Sequence, residues 1–197
     1  MSEERWAALF EDLEHQLSAG IAEHDAEMAR ESERTRIASV TLRHRLRAVP
    51  AGSEVTFDLL DGEPLRGRVV ATGVDWVAVE SADVGAVSLI PLVSLVSVST
   101  SEDARQASFL VTETDPLAER MTLAFVLRGI ARRRIPCAVM WVGGRETSGT
   151  FIAVGADAAD LVVHDLGEVP TGRSAANVRT IVISAMRRIR LPRGVRL

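Results

Sequence analysis

The sequence predicts a mainly β chain with helices: two small β-barrels in tandem, each led by a short helix, behind an N-terminal amphipathic helix. Three observations predict it. Glycines recur at one fixed offset in two stretches of strand-like sequence. A helical apolar pattern precedes each stretch, and residues 1–36 are acidic with a single apolar stripe.

The stripe in the acidic arm comprises Trp6, Leu9, Phe10, Leu13, Leu17 and Ile21, with Glu3, Glu4, Glu11, Asp12 and Glu14 on other faces and Ser2 as a candidate cap. Trp6, Phe10, Leu13 and Leu17 fit about two heptads before Gly20 weakens the seam, so a short helix pair or a docking helix is expected rather than a long coiled coil. These four residues are the candidate interface with a partner helix. Residues 22–36, AEHDAEMARESERTR, are polar almost all round and read as a solvated helix or a linker.

The repeat lies in the body of the chain. A shift of 82 residues carries Gly62 onto Gly144, Gly67 onto Gly149, Gly73 onto Gly155 and Asp75 onto Asp157. An apolar helical pattern, Leu42 to Val49 or Leu123 to Ile130, opens each copy. About five short strands follow, with glycines where strands bend or turn. Strongly bent antiparallel strands of this number make a small barrel. The predicted organisation is an arm over 1–36, a first barrel over 37–100, a linker over 101–119, and a second barrel with a basic end over 120–197.

Composition narrows the chemistry. The balance of 47% hydrophobic and 25% charged residues is that of a folded globular chain. All 23 basic residues are arginine, so Schiff-base lysines and the lysine of a phosphate loop are excluded. Cys137 is the only cysteine, so no intrachain disulfide forms, and its place at the start of a β segment predicts a small core hydrophobe. The longest apolar run, AVSLIPLVSLVSV, is too short and too interrupted to span a bilayer, and MSEERWAALFEDLE is acidic where a secretory leader needs positive charge. A cytoplasmic chain without membrane contact is expected.

No catalytic or metal-ligating constellation assembles from His15, His24, His44, His164 and Cys137, so a non-enzymatic protein without metal or cofactor is expected. GGRETSGT, at 143–150, lies between two strands and lacks the lysine of a phosphate loop. The recurrence of Asp75 and Asp157 points to turn geometry in both copies.

The helix-then-strands order, with Asp61-Gly62 and Gly67 in one copy, Gly143-Gly144 and Gly149 in the other, and Val93-Ser94 and Ile183-Ser184 in the closing strands, resembles the Sm-like family. That family includes the bacterial Sm-like RNA chaperones, and SH3-like barrels share the pattern. The resemblance covers about 40–99 and 120–191. It implies binding of single-stranded RNA or a ribonucleoprotein and assembly into homo-oligomers, to which a tandem chain contributes two wedges.

The first copy offers no basic residue at its closing strand. The second carries Arg187, Arg188 and Arg190 there, Arg132, Arg133 and Arg134 after its helix, and Arg173 and Arg179 in its longer loop. These eight arginines are the candidate nucleic-acid site. Trp76 and Trp141 are read either as base-stacking platforms or as barrel wall and interface, whereas Trp6, Phe10, Phe57, Phe125 and Phe151 sit in patterns that predict burial. Residues 1–36 carry ten acidic and four basic side chains, while the rest of the chain is net basic. That asymmetry leaves a second reading open: a protein-interaction scaffold that uses barrel edges and the N-terminal helix.

Overall fold

The structure, a computed structural model, describes residues 3–60, 62–82, 85–110, 120–166 and 177–195, with the side chains of 3–14 and 16 outside that description. It has two units, Met1–Thr41 and Leu42–Leu197. The first is one helix, α1 (Glu3–Ser39). The polar stretch after residue 21 therefore continues the helix instead of linking, because it is rich in alanine, glutamate and arginine, all good helix formers. Gly20 is the single glycine in α1 and costs about 1 kcal/mol, too little to break a helix of this length. Arg36 pairs with Glu33 at 2.7 Å one turn back. Leu17, Ile21 and Met28 stand exposed along α1; the side chains of Trp6, Phe10 and Leu13 lie outside the described residues.

The second unit runs α2 (Leu42–Ala48), β1 (Val55–Leu59), β2 (Leu65–Thr72), β3 (Trp76–Ser81), β4 (Val87–Pro91), β5 (Leu95–Ser99), α3 (Glu102–Ala107), α4 (Leu123–Arg132), β6 (Pro136–Trp141), β7 (Arg145–Val154), β8 (Ala158–Val163), β9 (Val178–Val182) and β10 (Met186–Arg190). A 3-10 turn joins β4 to β5 and another joins β9 to β10.

The repeat holds at the level of register. Val55 faces Gly67 as Cys137 faces Gly149. The β2–β3 ladder slips between Val69 and Ala71, and β7–β8 slips at the equivalent Phe151 and Ala153. After the longer β8–β9 connection the offset becomes 91, and Phe57↔Val98 then corresponds to Val139↔Ile189. Under this alignment Ser94 matches Ala185 rather than Ser184, one position away from the match that sequence suggested. The glycines at the bend are equivalent in packing too. A Cβ on Gly67 would lie 2.1 Å from the Glu80 carbonyl oxygen, and one on Gly149 would lie 2.1 Å from that of Val162.

The structure does not show two separate closed barrels. The ten strands make one continuous antiparallel sheet in the order β5-β1-β2-β3-β4-β10-β6-β7-β8-β9, and the sheet is not closed. The outer face of repeat 1 explains why. Trp76, Ala78, Val87 and Leu89 are buried in one cluster with Leu123, Leu127 and Ile130 of α4 and with Met186 and Ile189 of β10. Burying each large apolar side chain is worth on the order of 2 kcal/mol, so the β4 edge pairs with the neighbouring repeat. The pairing sets Leu89 against Ile189 and Ser88 against Arg190. The inner face of repeat 1 forms a second core of Leu46, Val55, Phe57, Leu59, Val77, Val79 and Ile90, to which β6 of repeat 2 adds Met140. Within the expected linker, α3 forms because the Ser101 hydroxyl accepts a bond from the Ala104 amide at 3.3 Å.

Candidate functional site

Two kinds of surface compete for the role of functional site: the arginines of repeat 2 and the unpaired edges of the sheet. The arginines come first. Arg188 and Arg190 project from β10 to the same carboxylate, Glu146 on β7, at 3.8 Å and 2.8 Å. Arg187 donates to the backbone carbonyls of Ser184 and Met186. Arg179, on β9, lies over the Trp141 ring at 5.2 Å from its centroid. Arg173 lies outside the described residues. Glu146 was invisible as a counter-charge in the sequence because it sits 44 residues from Arg190 and meets it only across the sheet.

The other arginines gather elsewhere. Arg132 and Arg134 line an open groove of about 670 Å³ with Phe125, Arg128 and Ile152. Arg133 caps the C-terminus of α4, its amide donating to the Gly129 carbonyl. Arg134 adopts a left-handed backbone, φ 51°, which turns the chain from α4 toward β6. Arg128 is a strut in this wall, donating to the carbonyls of Val154 and Gly155. Phe125, expected in the core, is 51% exposed. Its place on α4 falls outside the buried stripe of Leu123, Leu127 and Ile130, a helical phase that the aromatic identity obscured.

Of the two tryptophans read as platforms or wall, Trp76 lies in the wall and Trp141 stays partly exposed. Trp76 is buried, and its indole nitrogen donates to the Met121 carbonyl at 3.0 Å across the junction of the repeats. Asp75 beside it accepts a 2.7 Å bond from the Leu123 amide, the first of α4, where a carboxylate is favoured by the helix dipole. Ser94, also buried, donates to the Met186 carbonyl across the same seam. Trp141 is half-buried under Arg179. Cys137 lies fully buried in the core of repeat 2, and burial pushes its thiol up to about 12.

The edges are the second surface. In β4 the amides and carbonyls alternate in direction. Ala86 and Asp75 carbonyls serve β3–β4 bonds within repeat 1, while the Val87 carbonyl accepts from Leu191 across the seam. The equivalent strand β9 bonds inward at Asn177 and Ile183, which leaves Val178, Thr180 and Val182 with their backbone groups directed to the open edge. Val178 and Val182 are 47% and 52% exposed, whereas their counterparts Val87 and Pro91 are buried. On the other end of the sheet, β5 carries the exposed Val96 and follows the exposed Val93.

Among the described residues no group of three histidine, cysteine or acidic side chains is placed to hold a metal ion, and no helix is long and apolar enough to cross a membrane. Comparison of the sequence with protein-family models and with curated protein sequences returned no match.

Proposed function

We propose that the chain is a non-catalytic, Sm-like assembly scaffold that builds a homo-oligomer by pairing its two open sheet edges, β5 and β9. One observation carries the reading. Repeat 1 already uses its β4 edge to join the β10 edge of repeat 2, and β9 and β5, the equivalents of those two strands, have no partner on their outer sides among the described residues. Long unpaired edges bearing exposed valines are templates for strand addition unless they are blocked. β5 carries no proline or charged residue to block it, and β9 has no proline and one charged residue, Arg179, whose guanidinium lies over Trp141.

The test uses the full chain and its mass in solution by light scattering. Thr180→Pro removes an amide that faces the open edge and leaves the β8–β9 ladder intact. The variant is expected to run as a single chain that still unfolds in one cooperative transition, at a somewhat lower temperature because association and the Thr180–Asp160 bond are both lost. A wild-type protein that is already a single chain would overturn the reading.

A second reading, RNA binding through repeat 2, is favoured by the groove where Arg132 and Arg134 flank the exposed ring of Phe125. Arg187, Arg188 and Arg190 support it less, because two of them share Glu146. Its test is salt-dependent binding of single-stranded RNA. Arg132→Gln with Arg134→Gln is expected to lower the salt slope by about two contacts' worth, and salt-insensitive or absent binding would remove this reading.

A further inference from the structure

The groove between α2 and β5 has a volume of about 180 Å³ and is lined by Leu42, Arg45, Leu46, Val49, Val96 and Val98 among others. Its counterpart in repeat 2, between α4 and β10, is filled by the outer face of repeat 1: Trp76, Ala78, Val87 and Leu89. An offset of 81 relates the helices, so Leu42, Leu46 and Val49 correspond to Leu123, Leu127 and Ile130. Arg45 then corresponds to Val126, which packs against the filled seam.

The residues of repeat 2 equivalent to the four that fill the seam are Ala158, Asp160, Val178 and Thr180. Two of them are polar, and they are already joined: the Thr180 hydroxyl donates to the Asp160 carboxylate at 2.7 Å. The substitutions match across the two ends of the molecule. Where the filled groove sets an apolar Val126 against a seam that holds Ala78, the open groove has a cation, and the open edge that would enter it has a carboxylate. Arg45 is held at the groove by stacking on Phe109, 4.4 Å from the ring centroid, and by a bond from Nε to the Ser108 hydroxyl.

We infer that a second copy of this chain seats its β9 edge in the α2–β5 groove, with Asp160 of one copy pairing with Arg45 of the next. This rests on the edge-pairing function proposed above. Copying the register of the internal seam, in which Leu89 faces Ile189 and Ser88 faces Arg190, sets Thr180 opposite Val98 and Arg179 opposite Ser99 of the neighbouring chain. The contact is head-to-tail, so every chain offers one Asp160 and one Arg45. The interchain seam is thereby charge-matched and salt-sensitive, while the intrachain seam is apolar and permanent.

The experiment is a charge exchange in the full chain, read as mass by light scattering at low salt. Asp160→Arg places two arginines at each interchain contact, and Arg45→Asp places two aspartates there. Each variant alone is expected to lose association at least about tenfold, as like charges replace opposite ones. Mixing the two restores every contact. At one junction the two substituted side chains meet as an opposite-charge pair, and at the next the native Asp160 of one variant meets the native Arg45 of the other. Recovery of the wild-type mass on mixing supports the pairing, since neither an intrachain role nor misfolding is repaired by a second chain. Asp160→Asn keeps the bond from Thr180 and is expected to assemble more weakly, with the salt dependence lost.

Failure to recover on mixing, or a wild-type mass for either single charge variant, overturns the inference. The outcome with Thr180→Pro separates this from failure of the edge-pairing function. If that proline abolishes assembly while the charge variants do not, edge pairing stands and the Asp160–Arg45 contact falls. If the proline changes nothing, both fall.

Discussion

The β4·β10 seam and the β9 edge are built from equivalent residues and differ in what covers them. At the seam, Trp76, Val87 and Leu89 are dry and the Asp75 carboxylate reaches α4. At the open edge, Ala158, Val178 and Thr180 take their places, and Asp157 takes the place of Asp75, exposed. Two copies of one fold have thus diverged most where one copy is permanently covered. The difference teaches that side-chain identity on the outer strand face, not the ladder itself, decides whether a repeat edge is locked or available.

The largest test of that statement is Trp76→Ala. It should cost about 3–5 kcal/mol in urea unfolding, as large core truncations do, while Val182→Ala on the open edge should stay within about 0.5 kcal/mol. Both are read at a protein concentration too low for chains to associate, where equal losses would mean that a single chain covers its own open edge, and the contrast would break. Glycine comes next. A Cβ on Gly73 would lie 2.1 Å from the Trp76 indole nitrogen and 2.5 Å from the Met121 carbonyl, whereas one on Gly155 would meet the Ala158 carbonyl at 3.3 Å. Gly73→Ala is expected to lose about 1–3 kcal/mol through overpacking, and Gly155→Ala distinctly less, both read from denaturation midpoints.

Asp75→Ala removes the acceptor at the start of α4 and should cost about 1 kcal/mol, with Asp157→Ala near neutral by the same measurement. The smallest effect is internal to the repeats. Cys137 occupies the position of Val55, and both are fully buried. Its folded thiol is raised from 9.0 to about 12, so the folded state holds its proton where the unfolded chain releases it. Stability it contributes is full below pH 9 and is lost as pH climbs from there toward 12. Cys137→Val, a near volume-conserving change, should shift stability by less than about 1.5 kcal/mol and flatten that alkaline decline. In the native protein the thiol should resist alkylation and react only on unfolding.

Much of the repeat was legible because its glycines are enforced by contact. Gly67 and Gly149 recur since a neighbouring carbonyl stands where a side chain would begin, a local requirement that survives divergence. Gly62 and Gly144 align in sequence yet differ, for only Gly144 takes a positive φ, 70°. The serine match slipped by one because the β8–β9 connection is longer than its counterpart, which changes the offset from 82 to 91. Continuity of the sheet was not legible at all. Leu89 and Ile189 each look like an ordinary strand residue, and their pairing is a tertiary choice between a repeat's own edge and its neighbour's. The arginines of β10 read as a patch because sequence shows charge but not the Glu146 that two of them share.

The seam also orders events in time. Each meander joins strands that follow one another closely, but Ser88 and Arg190 lie about a hundred residues apart, and closing so long a loop costs chain entropy before any contact repays it. β10 is the last of the ten strands to leave the ribosome, so even after α4 has reached Trp76 the β4 edge at Ser88 and Leu89 stays without its partner strand on a nascent repeat 1 until β10 has emerged. A chain stalled or truncated before that point presents this bare edge, and the β4 edge is then the site at which quality control or mispairing with a sister chain begins.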